Sequence, residues 1–216
     1  MNTNLKKRIY TSVILFLIVF LMLINNYVLG YFLMIASILS LQEFIRMTMK
    51  IYVNEKIKVL TLNAIFTIYI FIFSSAFLMF ANFFHFKILL FILLFTCIAS
   101  DIGGFVFGKF FEGPKLSKIS PNKTIAGSIG SILLSSITLI IIIYFFTKNF
   151  ELYNLFIAII TSVSCQLGDL FFSYLKRKSK LKDTGNLLPG HGGVLDRVDG
   201  ILLGMPIGFI TLLLLY

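Results

Sequence analysis

Seven apolar runs, separated by short polar segments, dominate this chain and narrow its fold to very few possibilities. A helix needs about 20 apolar residues to cross a bilayer core roughly 30 Å thick. Within lipid every backbone N–H and C=O must find a partner inside the protein, so isolated runs of this kind fold as helices. They lie near residues 10–25, 28–46, 58–82, 87–108, 125–147, 151–175 and 199–216. This pattern predicts an all-α, polytopic integral membrane protein with about seven transmembrane helices. Composition agrees: charged residues make up only 13% of the chain, against about 25% in a soluble domain.

The first run is short, and only Asn25-Asn26 separates it from the second. That predicts a tight helical hairpin or a re-entrant pair. Val13 to Ile24 follows Lys6-Lys7-Arg8 and so has the outline of a signal peptide. Asn25-Asn26-Tyr27 is a poor cleavage site, so a retained first span is expected. Cys97 and Cys165 each sit inside an apolar run and are expected to be small buried hydrophobes.

The net charge is +10. Nucleic acid is not among the expected partners, because the bases lie in short segments between apolar runs. That placement suits topology signals, anionic headgroups and phosphate ligands. With the N-terminus inside, the inner segments hold Lys6, Lys7, Arg8, Arg46, Lys50, Lys56, Lys58, Lys109, Lys115, Lys118, Lys123, Lys176, Arg177, Lys178, Lys180, Lys182 and Arg197. These are 17 of the 19 bases, leaving only Lys87 and Lys148 outside. The asymmetry predicts a cytoplasmic N-terminus and an outward C-terminus, and the expected location is the cell's inner membrane. Two inner loops, 109–124 and 176–198, are longer than topology requires and rich in Lys, Gly and Pro. They are expected to build one site at the cytoplasmic face. The chain is thus read as N-terminal membrane helices over 1–86, then C-terminal helices carrying both loops over 87–216.

The segment Ser173 to Asp199 holds six basic residues, three aspartates, a histidine and four glycines. Cations and carboxylates gathered beside a bilayer, with glycines that let backbone approach a ligand, suggest a metal-assisted phosphate site. Asp196 and Asp199 are three apart and share a helix face if the last helix starts near Leu195. They would repel unless they shared a cation, although a helix N-terminus also favours acids. Asp169 lies well inside an apolar run, where a carboxylate costs about 2.5–3.5 kcal/mol and usually marks function. Pairing with a nearby lysine is the bland alternative. Asp101 poses the same question, beside Gly103-Gly104 that would allow close helix contact. His191, among Gly190, Gly192 and Gly193, could bind phosphate or move a proton. Ser120 or Asn122 could cap the fifth helix, with Lys123 reaching an anion there. Glu43 is expected to do no more than pair with Arg46 one turn on.

These residues resemble the phosphatidate cytidylyltransferase family, also called CDP-diacylglycerol synthases. Its C-terminal signature runs S-x-x-K-R, four residues, K-D, then a small residue, P, H-G-G and D-R-x-D. The chain matches it with Ser173, Lys176, Arg177, Lys182, Asp183, Gly185, Pro189, His191, Gly192, Gly193, Asp196, Arg197 and Asp199. Gly168-Asp169, Asp101 with Phe107-Gly108-Lys109, Ile119 to Thr124, and Arg8 with Thr11 also look like family segments. Two features depart from the family. Ile125-Ala126-Gly127 replaces its usual Trp-Glu-Gly, and the chain is shorter than many members.

The resemblance implies transfer of a cytidylyl group from CTP to phosphatidic acid, giving CDP-diacylglycerol and pyrophosphate. It implies Mg²⁺ on Asp169, Asp196 and Asp199, with a second, monovalent cation left open. Asp169, Asp196, Asp199 and His191 would be catalytic. Lys123, Ser173, Lys176, Arg177, Lys182 and Arg197 would bind CTP and the lipid phosphate. Membrane lipid is a partner throughout, and a homodimer is left open. Two other readings remain: a CTP-dependent polyprenol kinase, and an ion-coupled transporter. A transporter would place polar groups near the midplane, often with inverted repeats, whereas here they gather at one face.

Overall fold

The structure is a computed structural model that describes residues 3–111, 113–117, 120, 123–187 and 192–215, with side chains from residue 10 onward. Among these residues it is all α. The helices are α1 (Thr3–Ile24), α2 (Asn26–Ile51), α3 (Lys56–Ala81), α4 (Phe84–Phe110), α5 (Ile125–Thr147), α6 (Leu152–Lys178) and α7 (Leu195–Leu215). Six of them, α2 to α7, are long and apolar enough to cross a membrane. The expected seventh span is weaker. The apolar part of α1 is only Tyr10–Ile24. At 1.5 Å per residue it falls short of a core about 30 Å thick. Many large apolar side chains on these helices are exposed, as Phe71 and Leu214 are, which suits surfaces that meet lipid rather than water.

The chain forms two compact units: Met1–Lys87 with Leu175–Val198, and Ile88–Tyr174 with Asp199–Tyr216. In the first, the α1–α2 hairpin turns at Asn25, whose side chain accepts the Tyr27 N–H at 2.8 Å and caps α2. Helices α2 and α3 are tied by Ser37–Ser74 and Thr48–Asn63 hydrogen bonds, and Phe44 stacks on Phe66 at 4.0 Å. Lys87 is buried and donates to Asn26 Oδ1 at 2.6 Å. Helix α6 ends where Lys180 turns left-handed (φ 55°) and the Leu181 N–H returns to the Lys176 carbonyl.

In the second unit, glycines set the helix contacts. A Cβ on Gly104 would lie 2.7 Å from Ser131 Oγ, and one on Gly127 would lie 2.7 Å from the Gly104 carbonyl. So α4 and α5 meet backbone to backbone, as Gly103-Gly104 suggested. Gly168 of α6 faces the Asp199 carbonyl of α7 in the same way, and Gly200 faces Cys165. Cys97 and Cys165 are free and buried, as expected. The cap of α5 differs from expectation. Thr124, in extended conformation, accepts the Gly127 N–H at 3.0 Å. Ser120 makes no such bond, and Asn122 lies outside the described residues.

Candidate functional site

In the first unit, two carboxylates hold the base of the glycine-rich loop. Asp196 stands in the first turn of α7, which begins at Leu195 as a shared face with Asp199 would require. Its Oδ1 accepts Lys176 Nζ at 2.8 Å. Its Oδ2 accepts the N–H groups of Thr184 at 2.8 Å and Gly193 at 3.0 Å. Gly192 next to this pair has φ 82°, and a Cβ there would sit 2.8 Å from Asp196 Oδ2. Only glycine fits that backbone and that gap.

Glu43 of α2 is the second carboxylate, and it departs from its expected pairing with Arg46. It is only 1% exposed. Oε2 accepts the Thr184 hydroxyl at 2.6 Å and the Leu195 N–H at 2.9 Å, while Oε1 accepts the Val194 N–H at 3.0 Å. These neutral donors include backbone groups at the start of α7, where the helix dipole also favours negative charge. Sequence spacing missed the role because the partners lie up to 152 residues away. One signal was available: a lone acid in an apolar run, the argument already applied to Asp169.

Beside this anchor, Arg46, Met49 and Lys50 of α2 and Leu181, Asp183, Thr184, Gly185 and Asn186 line a pocket of about 430 Å³. Arg177, Lys182 and Arg197 are exposed in the same unit. His191 lies outside the described residues.

In the second unit, Asp169 of α6 forms an ion pair with Lys123, and Ser173 donates to Asp169 Oδ1 at 3.3 Å. The bland alternative for Asp169, pairing with a lysine, is therefore the arrangement present, and Lys123 already has an anion. Three aspartates approach one stretch of α6. Asp101 Oδ1 lies 3.7 Å from Cys165 Sγ, Asp169 follows Gly168, and the Asp199 carbonyl packs on Gly168. Asp199 itself is buried. Among the described residues, no three His, Cys, Asp or Glu side chains are gathered closely enough to hold a metal ion. Carboxylate oxygens are nonetheless the donor type that suits Mg²⁺.

A helical membrane protein with buried acids paired to bases and amides, and exposed bases nearby, has the parts of a phosphate-handling membrane enzyme. The chain matches the cytidylyltransferase family over residues 51–215 and belongs to it. It is similar to proteins named phosphatidate cytidylyltransferase from several bacteria. That of Rickettsia bellii is 43% identical over 128 residues, covering 55% of each chain. That of Staphylococcus haemolyticus is 43% identical over 110 residues, covering 50% of this chain and 42% of the relative. That of Mycobacterium leprae is 36% identical over 126 residues, covering 58% and 40%. The match spans about half the length of these relatives or less.

Proposed function

We propose that this protein is a phosphatidate cytidylyltransferase, converting CTP and phosphatidic acid to CDP-diacylglycerol and pyrophosphate in phospholipid synthesis. The observation that carries the reading is the signature from Ser173 to Asp199, present in register within the matched family segment. A phosphate oxygen of the lipid attacks the α-phosphorus of CTP, and pyrophosphate leaves. Protein groups need supply little covalent chemistry; their task is to align and neutralise two polyanions.

The bases divide that work within their own units. Arg177, Lys182 and Arg197 are exposed, and their positions in the signature assign them to phosphate oxygens. Lys176 contributes through Asp196, which it holds. Lys123 exchanges Asp169 for a phosphate oxygen when nucleotide binds, which frees an Asp169 oxygen. Asp169 and Asp199 are the oxygen donors assigned to Mg²⁺ in the second unit. When bound, Mg²⁺ supplies charge neutralisation at phosphoryl oxygens. Asp196 was expected to share that ion; its oxygens here serve Lys176 and two backbone N–H groups. His191 is assigned a phosphate-binding or proton-moving role from its position in the signature. The site is assigned to the cytoplasmic face of the inner membrane, where CTP arrives from the cytosol while acyl chains stay in lipid.

Purified protein given labelled CTP, Mg²⁺ and either phosphatidic acid or a polyprenol tests this directly. Labelled CDP-diacylglycerol with pyrophosphate is the expected product. A phosphorylated polyprenol with CDP, or solute flux without CTP turnover, would overturn it.

A further inference from the structure

Glu43 lies outside the segment that matches the family, residues 51–215. Yet it holds both ends of the signature loop. Thr184 enters that loop and Val194-Leu195 leave it, and all three donate to this one carboxylate. Asp196 binds the same two arms through the Thr184 and Gly193 N–H groups. Two carboxylates from distant parts of the chain therefore close the loop at its neck.

Three features make the Glu43 contact more than a surface cap. The side chain is almost wholly buried. A Cβ on Gly185 would lie 2.5 Å from Glu43 Oε1, so the loop backbone is fitted to the carboxylate. A Cβ on Gly193 would lie 2.6 Å from Glu43 Cδ, so the fit holds on the exit arm as well. A buried carboxylate with three hydrogen bonds is costly to disturb, because each donor left behind is itself stranded.

We propose that Glu43 is a positioning residue for nucleotidyl transfer. It touches no reacting atom. It fixes the entry and exit of the signature loop, and through Thr184 it sets the frame in which Asp196 and Lys176 stand. The effect on turnover rests on the cytidylyltransferase reading; the effect on loop position does not.

The test uses full-length protein in detergent or nanodiscs, with two independent readouts. The first is hydrogen exchange at the Thr184 and Gly193 amides. Both are bonded to Asp196 rather than Glu43, so faster exchange reports displacement of the loop and not loss of a bond to the altered residue. Glu43→Gln keeps the size but presents an NH₂ group to donors. It is expected to speed both amides by about tenfold or more, the equivalent of roughly 1.4 kcal/mol of opening. Peptides from α4 and α5 should keep their protection. Thr184→Val, a milder change, should move the same amides in the same direction, and Thr184→Ser should restore them.

The second readout is kinetic. Glu43→Gln should lower kcat by about tenfold or more with a smaller change in KM for CTP, because alignment is lost more than ground-state binding. If the folded Glu43→Gln protein keeps wild-type amide protection, the proposal is wrong. It is equally wrong if protection falls while kcat is unchanged, for the contact would then be structural only. A wild-type protein that turns over no CTP would refute the cytidylyltransferase reading instead, and the exchange arm would still decide whether Glu43 positions the loop.

Discussion

Lys176 Nζ meets Asp196 Oδ1 at 2.8 Å, with the two side chains 13% and 5% exposed. Twenty residues separate them, so the contact joins the end of α6 to the start of α7 across the whole signature loop. A pair so withdrawn from water depends on both members. Removing one leaves the other buried without its counter-charge.

Lys176→Met should therefore destabilise the protein by about 2–3 kcal/mol, with the two N–H bonds to Asp196 limiting the loss. Arg177→Met, at an exposed neighbour, should stay within about 0.5 kcal/mol. Thermal midpoints of the two variants in one detergent check this. Equal midpoints would mean that the pair adds nothing to stability.

The helices were legible because their signal is local. Hydropathy runs a helix length at a time, and six of the seven expected spans meet the length and apolarity of a crossing. The glycine contact between α4 and α5 was legible too, since Gly103-Gly104 stands out in an apolar run. The site was legible in its residue types but less so in its pairings. Spacing along one helix suggested Arg46 for Glu43, but the partners come from a loop more than 140 residues on. Spacing could pose the question of Asp169 but not choose Lys123 as its answer. Such choices are made when distant segments pack, and no local period records them.

The acids of the second unit and of the loop neck should separate under mutation. Asp199→Asn should lower turnover by about a hundredfold and shift its Mg²⁺ dependence, since an amide cannot supply the charge a bound cation needs. Asp196→Asn should lower turnover as well, but it should also release the Thr184 and Gly193 amides to exchange. A near-normal rate and an unchanged Mg²⁺ response in Asp199→Asn would remove that residue from the metal assignment.

Glycines should answer according to what surrounds them. Gly168→Ala would place a Cβ 2.7 Å from the Asp199 carbonyl oxygen, a backbone atom that cannot swing aside. Folded yield and thermal midpoint should fall sharply. In Gly30→Ala the new methyl meets only Leu78 Cδ2, at 3.6 Å. That helix position should gain about 0.5–1 kcal/mol from alanine's better propensity. A destabilised Gly30→Ala beside a neutral Gly168→Ala would contradict the packing described.

The 17-to-2 division of bases predicts which side each loop faces. Asn186→Cys and Asn149→Cys are suitable probes because both sites are exposed, while Cys97 and Cys165 are buried. In intact cells an impermeant maleimide should label position 149 and spare 186. The reverse pattern would invert the topology and separate the loop from cytosolic CTP.

The Lys123–Asp169 pair makes the sharpest claim about nucleotide binding. If Lys123 leaves Asp169 for a phosphate oxygen, the pair stores its own replacement: ligand charge takes the lysine, and Asp169 becomes free. Lys123→Gln should then raise KM for CTP by about tenfold, the order expected for losing one charge-assisted hydrogen bond. Asp169→Asn should not imitate it. That change releases Lys123 in advance, so CTP binding should hold or tighten while kcat falls. Equilibrium binding of CTP to both variants, measured beside their kinetics, distinguishes the outcomes. If the two variants weaken CTP binding equally, the pair acts as one structural unit, and Lys123 does not exchange.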